Sequence, residues 1–402
     1  MSERKVPKIR FPGFTDDWEQ RKVGELVKEH NAGIYISKEN YGEGINVIGV
    51  GNIYDNDIFD GEIYRLGPVN DDKFLLDEGD LIYGESSLVL EGIARTVCVG
   101  KNGAGSAFAW HTRRVKLDND FVDSHFATLE LNYHPVVRKH LMSVATQTAL
   151  TGMTTDGYFS APLFLPSVPE QKKISEVFKS LDNLITLHQC ELDKWKELKK
   201  GMLQKMFPKE GESVPEIRFS GFTDPWEQRK FSDFAQRESA FRSSSAEYPS
   251  IEYEDVVAEE GRLNKNVRKK ETQKTGITFD GTQVLYGKLR PYLHNWLNPD
   301  FAGVAVGDWW VLRPVEMDKK FLYRLIQTQQ FDEVANQSSG SKMPRADWNL
   351  VSNTDFVVPS SLEEQRQIAE AFDAIDDLIT LHQRECDKWQ TLKKALLQQM
   401  FV

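Results

Sequence analysis

The sequence has few cysteines, no long apolar segment and no excess of positive charge. Its three cysteines, Cys98, Cys190 and Cys386, are too few and too uneven in number for a disulfide framework, and they are typical of a reducing compartment. No uninterrupted apolar run approaches the roughly 18 residues that a membrane helix needs, and the first residues contain no apolar signal segment. We therefore expect a cytoplasmic protein with no membrane partner.

The charge balance excludes one class of nucleic-acid binder. A formal net charge of −11 argues against a protein that coats nucleic acid without selectivity, because such proteins carry a net basic field. A local basic groove remains compatible with this total. We interpret the densest basic run as a solvated face balanced by Glu259, Glu260 and Glu271; the run comprises Arg262, Lys265, Arg268, Lys269, Lys270 and Lys274.

Motifs of several enzyme classes are also missing. The sequence contains no phosphate-binding loop of the GxxxxGK[ST] form, and GKNGAG at 100–105 is predicted to be a hairpin turn. It contains no NPPY-like or DPPY-like tetrapeptide, which disfavours a self-sufficient amino-methyltransferase. The nuclease-like spacing of Glu197 and Lys199 lies in a stretch rich in Lys and Glu, where such spacings arise by chance. We expect no catalytic residue in this chain.

A metal site is a further possibility that the pattern disfavours. His188 with Cys190, and His382 with Cys386, are types of residue that bind zinc. However, Cys190 is matched by an arginine in the second copy of the segment described below, so a set of four ligands is not repeated. We interpret both histidines and Cys386 as residues of a helix interface and expect no metal.

The sequence contains two internal repeats, one short and one long. VPKIRFPGFTDDWEQRK at 6–22 returns as VPEIRFSGFTDPWEQRK at 214–230 with three changes. Downstream, residues 170–207 and 364–401 align without a gap at an offset of 194. The chain is therefore two copies of one plan, each with a short signature, a divergent body and a nearly identical tail.

Each tail is predicted to be one long helix. The 38 residues contain no proline and little glycine, and they would span about 57 Å at 1.5 Å per residue. The apolar positions follow a heptad in both copies. The predicted interface residues are Phe178, Leu181, Ile185, His188, Leu192 and Trp195 in the first helix and Phe372, Ile375, Ile379, His382, Cys386 and Trp389 in the second.

Because neither helix can leave this stripe in water, we expect the two to form a coiled coil with each other. A pseudo-twofold relation between the copies predicts antiparallel helices and a C-terminus that returns close to the N-terminus. The divergent bodies contain short β-branched and aromatic runs separated by turn residues, which predicts strands around 45–50, 80–84, 94–99 and 355–359. A helix is predicted near 319–334, so each body should be a mixed α+β globule. The two bodies share only short similarities, such as WHTRRV at 110–115 beside WWVLRP at 309–314. The predicted fold is thus α+β, with two mixed α/β globular domains joined by two long antiparallel helices. The predicted domains are 1–169 and 208–363, and the spacer helices are 170–207 and 364–402.

This combination resembles the specificity subunit of type I restriction-modification systems. The resemblance covers essentially the whole chain and is carried by IRFPGFTDDWEQRK, the helix starts EQKKI and EEQRQI, the ITLHQ heptads and LYGKLRPYL. It implies a non-catalytic subunit whose two target-recognition domains each read one half of a bipartite, asymmetric sequence in double-stranded DNA. It also implies that two methylation subunits bind the conserved regions and that restriction subunits join them. S-adenosylmethionine, ATP and Mg²⁺ would be bound by those partners and not by this chain.

Candidate DNA-binding residues follow from the same resemblance. In the second body, Lys288, Arg290 and Tyr292 belong to the LYGKLRPYL element, and a glycine-rich loop supplies Ser341, Lys342 and Arg345. Cations of this kind bind phosphates, and arginine can read guanine through two hydrogen bonds. In the first body, Glu85 and two serines replace the basic pair, so the candidates there are Ser86, Ser87, Arg113, Arg114, Thr154 and Thr155. Two alternatives stay open: an adaptor that binds two proteins instead of DNA, and an enzyme with an unfamiliar site in one body.

Overall fold

The computed structural model describes residues 7–35, 41–53, 59, 61–67, 69, 71–147, 150–270, 273–337 and 343–401. The chain divides into two compact units, and each unit takes part of both long helices. Unit 1 comprises Met1–Leu187 and Glu385–Val402, and unit 2 comprises His188–Arg384. No helix in the described part of the chain is long and apolar enough to cross a membrane.

Unit 1 has mixed α and β structure. Its strands are β1 (Glu19–Lys22), β2 (Val27–Ala32), β3 (Tyr41–Ile48), β4 (Tyr64–Leu66), β5 (Leu81–Gly84), β6 (Ser86–Ser87), β7 (Thr96–Cys98), β8 (Ala107–Phe108), β9 (Thr112–Leu117), β10 (Thr146–Gln147), β11 (Thr151–Gly152) and β12 (Pro162–Leu165). Its helices are α1 (Ser124–Tyr133), α2 (Pro135–Val144), α3 (Thr155–Phe159) and the first part of α4 (Val168–Lys205). The central sheet is antiparallel with strand order β2-β9-β5-β7, and smaller sheets have the orders β4-β3-β8, β10-β11-β6 and β1-β12.

Unit 2 repeats this plan with a different body. Its strands are β13 (Glu227–Lys230), β14 (Ala235–Arg237), β15 (Phe241–Ser243), β16 (Ser250–Ile251), β17 (Val256–Val257), β18 (Arg262–Leu263), β19 (Thr275–Phe279), β20 (Val284–Gly287), β21 (Trp296–Leu297), β22 (Gly303–Ala305), β23 (Trp309–Pro314) and β24 (Asp355–Val358). Its helices are α5 (Phe231–Phe234), α6 (Lys319–Leu325), α7 (Gln329–Ala335), α8 (Trp348–Asn353) and most of α9 (Leu362–Met400). The central sheet has the order β14-β23-β20-β21, which matches the central sheet of unit 1 strand for strand.

The two long helices are observed within two residues of the predicted bounds. They begin at Val168 and Leu362, and not at Glu170 and Glu364, because the acidic residues lie in the first turn, where the helix dipole favours negative charge. Every residue of the predicted heptad stripe is buried or half-buried, and Phe178, Leu192, Phe372 and Cys386 are the most enclosed. The 3.5-residue period therefore identified the inward face correctly.

Contacts within each unit give the direction of the helices. In unit 1, Lys393 Nζ lies 2.8 Å from Asp182, and Cys386 Sγ lies 3.5 Å from the carbonyl of Ile185. In unit 2, the equivalent pair of Lys199 and Asp376 is also 2.8 Å apart. His188 and His382 of unit 2 are also in contact, with their Nδ1 atoms 3.1 Å apart. In both units the partner on α9 has a lower residue number when the residue on α4 has a higher one, so the two segments are antiparallel.

The chain ends also behave as the repeat predicts. In unit 1, the backbone N–H groups of Lys8 and Ile9 donate to the carbonyl of Gln399, at 2.9 and 3.3 Å. In unit 2, Ile217 N donates to the carbonyl of Lys205 at 2.9 Å, which is the same contact one repeat along. The last helix therefore meets the first signature as α4 meets the second, and the predicted return of the chain end is confirmed.

An ion pair fixes each signature to the start of a long helix. Arg10 binds Glu170 through two hydrogen bonds of 2.6 and 2.8 Å, and Arg218 binds Glu364 at 2.6 and 2.9 Å. Both carboxylates are almost fully buried. Paired arginine–carboxylate bonds of this geometry fix orientation as well as distance.

Some local predictions required correction. The turn at 100–105 is not a hairpin, because β7 and β8 on either side of it pair with β5 and β3 in different sheets. The helix predicted near 319–334 is two short helices, α6 and α7, each capped at its start by the side chain of Asp318 or Thr328. The predicted strands around 45–50, 80–84, 94–99 and 355–359 are present as β3, β5, β7 and β24.

Candidate functional site: two equivalent loop clusters

The candidate residues of unit 2 lie on a loop, 288–294, that joins the paired strands β20 and β21. Ala346 N donates to the carbonyl of Lys288 at 2.8 Å, and Arg290 N donates to the carbonyl of Pro344 at 2.7 Å. These two bonds hold the loop against the segment 343–346, which is more than fifty residues away in sequence. The structure thus brings Lys288, Arg290 and Arg345 together, as a shared binding face requires.

Tyr253 fixes the start of this loop. Its hydroxyl donates to the carbonyl of Asp308 at 2.6 Å and accepts from Leu289 N at 3.0 Å. Burial raises the pKa of Tyr253, so the hydroxyl keeps the proton that it donates. Gly287 allows this close packing, because a Cβ there would lie 2.8 Å from the Tyr253 ring.

One carboxylate balances two of the three cations. Arg345 places Nη2 and Nε at 3.1 and 3.2 Å from the Asp308 oxygens, and Lys288 Nζ lies 3.5 Å from the same group. The hydrogen bond from Arg345 is the main reason why the pKa of Asp308 is lowered. Arg290 is different, because its exposed guanidinium has no hydrogen bond or ion pair to another described residue. Of the described cations of this face, it has the greatest freedom to bind a ligand.

Two further candidates of unit 2 lie outside the described residues, namely Ser341 and Lys342. Tyr292 is described, and half of its side chain is exposed beside Leu293. The face therefore presents an aromatic and an aliphatic side chain next to its cations.

Unit 1 contains the same backbone arrangement. Glu85 N donates to the carbonyl of His111 at 2.7 Å, as Lys288 N does to Asp308 at 2.9 Å. Met153 N donates to the carbonyl of Glu85 at 2.9 Å, as Ala346 N does to Lys288. Through these bonds Glu85 is equivalent to Lys288, and the loop from β5 to β7 is equivalent to the loop from β20 to β21.

The equivalence corrects one alignment made from the sequence. Pairing of Gly84 with Thr112, and of Gly287 with Trp309, makes Thr112 the counterpart of Trp309. Aligning WHTRRV with WWVLRP by their tryptophans is therefore wrong by two residues. Trp110 is exposed at a turn, whereas Trp309 is buried in a strand.

The candidate residues of unit 1 differ in their availability. Ser86 and Ser87 form β6 and are half-buried beside β11. Thr154 is exposed and caps α3 by accepting from Gly157 N at 3.1 Å, and Thr155 begins that helix. Arg113 pairs with Glu85 at 2.7 Å and lies 3.2 Å from His30.

Arg114 is a correction to the candidate set. Only 2% of the residue is exposed, and its guanidinium is bonded to the Leu75 carbonyl at 2.8 Å and to Glu29. Arg113, the adjacent residue of β9, is only half-buried and keeps more of its side chain in solvent. We therefore omit Arg114 from the residues available to a ligand.

Sequence reasoning missed several exposed apolar residues of this loop. Leu88 is 89% exposed and Val89 is 58% exposed, directly after Ser87. The signal was available, because aligning LIYG with VLYG places Glu85 opposite Lys288 and draws attention to the whole loop that follows.

The basic run of unit 2 is partly neutralised, by one of the acids that we expected and by two others. Lys270 binds Glu252 at 2.8 Å and also binds Asp255, and Lys265 binds Asp255 at 2.9 Å. Lys274 binds Glu252 as well. Of the expected acids, Glu260 pairs with Arg262, whereas Glu271 lies outside the described residues. The paired cations Arg262, Lys265 and Lys274 keep 41–46% of their side chains exposed, so the run is a solvated face balanced by acids, as the charge pattern predicts.

The long helices carry a second repeated surface. Leu187 and Leu381 are 55% and 51% exposed, and Leu198 and Leu392 are 46% and 39% exposed. The two pairs are separated by the repeat offset of 194, so each unit presents one exposed leucine from each helix. His188 and His382 meet with their Nδ1 atoms 3.1 Å apart, but no group of three or more potential metal ligands occurs among the described residues.

Comparison with known proteins identifies the family. A model described as "Type I restriction modification DNA specificity domain" matches residues 15–196 and 223–388. The chain is 22% identical to the type I restriction enzyme MjaVIII specificity subunit of Methanocaldococcus jannaschii, over 97% of this chain and 92% of that one. The crystal structure of the type I restriction-modification S subunit from M. genitalium has the same fold, with a TM-score of 0.68, 12% identity and 99% of each chain covered.

Proposed function

Because the chain belongs to the type I restriction-modification DNA specificity family, we propose that it is the specificity subunit of such a complex. Unit 1 and unit 2 each read one half of a bipartite, asymmetric sequence in double-stranded DNA. The observation that carries this proposal is the loop cluster that occurs twice on one backbone plan with different side chains. A common scaffold with exchanged side chains is what two readers of different sequences need.

The two faces offer different chemistry to DNA. Unit 2 presents Arg290, Lys288 and Arg345, and an arginine with free N–H groups can donate twice to guanine. Unit 1 presents hydroxyls at Ser86, Ser87 and Thr154 beside the apolar Leu88. Hydroxyl groups donate to or accept from base edges, and apolar groups contact the thymine methyl. The two halves of the target are therefore read by different interactions.

The repeated elements serve a partner that is present twice. The signatures, the helix starts and the exposed leucines are nearly identical in the two units, although the bodies have diverged. Identical surfaces fit two copies of one protein, and in this family's chemistry that protein is the methylation subunit. The long helices pair as an antiparallel coiled coil, which the heptad stripe and the contacts in each unit support.

Catalysis belongs to the partners in this proposal. Adenine methylation with S-adenosylmethionine occurs in the methylation subunits, and cleavage driven by ATP and Mg²⁺ occurs in the restriction subunits. This chain supplies the sequence recognition that directs both reactions.

Substitution of Arg290 by alanine tests the proposal. The target is first identified by mapping methylated adenines in a host that expresses this chain with its methylation subunit. We expect the Arg290→Ala variant to lose discrimination at one half of that target by about 1–3 kcal/mol, the value of one bidentate base contact, while the other half is read normally. Arg268→Ala is the matched control, since Arg268 is an exposed arginine of the same unit outside the loop cluster.

The result also separates this function from the alternatives. Equal loss at both halves contradicts independent reading by the two units. If the complex methylates no defined sequence and binds no duplex from a random pool, the adaptor alternative replaces the proposal.

A further inference from the structure

His294 lies at the end of the reading loop of unit 2, two residues before β21. Its Nε2 is 2.9 Å from the Asp332 carboxylate on α7, and its Nδ1 is 3.3 Å from the Glu259 carboxylate. Its ring also stacks on Trp296, with centroids 5.3 Å apart. The side chain thus joins the loop to two other segments of the unit.

The backbone at this position does not itself require a histidine. His294 has φ of 52°, and the equivalent residue of unit 1, Ala94, has φ of 54°. The equivalence follows from the strands, because Tyr286 pairs with Trp296 as Tyr83 pairs with Thr96. Both residues adopt the left-handed conformation, which is unfavourable for residues with a side chain. Unit 1 makes the same turn with a methyl group, so the contacts of the His294 ring are specific to unit 2.

These contacts bear on the residues that face solvent. Arg290 also has a left-handed backbone, with φ of 50°, and Leu293 N donates back to its carbonyl at 2.9 Å. The turn between Arg290 and His294 is therefore short, strained at both ends, and fixed at its far end by the His294 side chain. Loss of that attachment leaves Arg290 and Tyr292 in the same loop but with more conformations to lose on binding.

From this geometry we propose that His294 is a positioning residue for the second half of the target, and that its attachment to Asp332 and Glu259 makes reading of that half, but not of the first, depend on pH. The proposal rests on the proposed function and concerns the same face. His294 touches no base in this account; it acts through Arg290 and Tyr292.

The sign of the pH dependence follows from the neighbours of the ring. Among the described residues, Asp332 and Glu259 are the charged groups that interact with His294, and the buried Tyr286 is a titratable group that interacts with Asp332. The hydrogen bond to Asp332 is the main reason why the pKa of His294 is raised above its ordinary value of 6.5. A raised pKa means that the attachment is complete below that ordinary value and is lost as the pH rises through the value in the folded protein.

The test measures half-site discrimination of the full chain with its methylation subunits. Three duplexes are used: the mapped target, one with the first half scrambled and one with the second half scrambled. From about pH 6 to about pH 9, we expect the preference for an intact second half to fall about three- to fivefold, the effect of one partly exposed ion pair. The preference for an intact first half should not change, and it is the internal control for all other titrations of the complex.

Variants identify the residue that causes the pH dependence. His294→Ala, which introduces the residue found at Ala94, should show the reduced preference for an intact second half at every pH, so its preference should have no slope against pH. Asp332→Asn should reduce the slope while His294 remains, and the slope in the wild-type complex tests the proposal even if a variant fails to fold. A flat wild-type profile overturns the proposal, as does a slope that persists in His294→Ala.

Arg290→Ala in the same assay separates this inference from the function that it rests on. If that variant loses the second half while His294→Ala has no effect, the face reads DNA and the role of His294 is refuted. If Arg290→Ala also has no effect on the second half, the function proposed for this face is refuted with it.

Discussion

Replacing Arg10 by methionine should destabilise unit 1 strongly, because it leaves a buried carboxylate without its partner. Methionine keeps an unbranched side chain of similar reach and removes only the charge and the donors. Glu170 has no exposed surface, and its two side-chain hydrogen bonds, of 2.6 and 2.8 Å, both come from Arg10. Breaking a buried ion pair by removing one partner costs about 3–5 kcal/mol, because the remaining charge cannot return to water without opening the structure.

The second copy of this ion pair is a matched control with a smaller expected cost. Glu364 also accepts from the indole N–H of Trp226 at 3.0 Å, so it keeps one donor after Arg218→Met. A hydrogen bond to a charged group contributes about 1.5–3 kcal/mol. Arg218 also donates to the exposed Asp224 carbonyl at 2.7 Å, a bond worth about 0.5–1.5 kcal/mol that Arg218→Met removes. Because the retained bond to the carboxylate is the stronger one, we expect Arg218→Met to cost about 1 kcal/mol less than Arg10→Met.

Hydrogen exchange with mass spectrometry suits this comparison, because it reports on each unit separately. We expect faster exchange in the first turns of α4 and in residues 8–22 for Arg10→Met, and in the equivalent segments of unit 2 for Arg218→Met. Adding Glu170→Gln to Arg10→Met removes the uncompensated charge and should recover at least half of the loss. Equal costs in the two units, or no recovery in the double variant, would refute the reasoning.

Two other changes have clear expected outcomes. Glu130 is fully buried, and burial raises its pKa well above the ordinary 4.5; the stability that depends on its proton is complete below 4.5 and is lost as the pH rises through the raised value. Glu130→Gln keeps the acceptor for Phe164 N and removes the ionisable group, so it should raise the free energy of unfolding at neutral pH and raise it by less near pH 4. Urea unfolding measures this difference, and a variant less stable than the wild type at neutral pH would contradict it. Leu187→Asp or Leu381→Asp should each remove one methylation subunit from the complex, and the double variant should remove both, because the proposed function makes these exposed leucines equivalent docking residues. Native mass spectrometry counts the subunits, and two subunits on the double variant would exclude this surface.

The long helices were predictable because their information is local and repeated. A 3.5-residue stripe identifies the buried face without knowledge of the partner, and the second copy supplied that partner. The bounds shifted by two residues because the helix dipole accepts Glu170 and Glu364 inside the first turn. The antiparallel direction followed from the order of signature and tail, which the amino-acid sequence also shows.

The bodies were less predictable because their contacts are distant in sequence. Arg345 is held beside Leu289 by a bridge between segments that share no pattern. Arg113 and Arg114 are adjacent in the sequence, yet Arg114 is enclosed by the Leu75 carbonyl and Glu29, and no sequence pattern links it to these distant partners. His294 could not be identified from the sequence, because its acidic neighbours lie 35 and 38 residues away.

The equivalence of the two loop clusters distinguishes the backbone bonds that fix each loop from the exposed side chains that are proposed to contact DNA. In both units the loop is fixed by backbone donors and acceptors, such as Met153 N to Glu85 and Ala346 N to Lys288. A side chain at these positions can therefore change without loss of the bonds that place it. Exposed positions such as Leu88, Thr154 and Arg290 contribute little to the buried core, so their substitution should alter recognition more than stability. A fold of this kind can acquire a new target in one unit while its helices and partner surfaces stay the same.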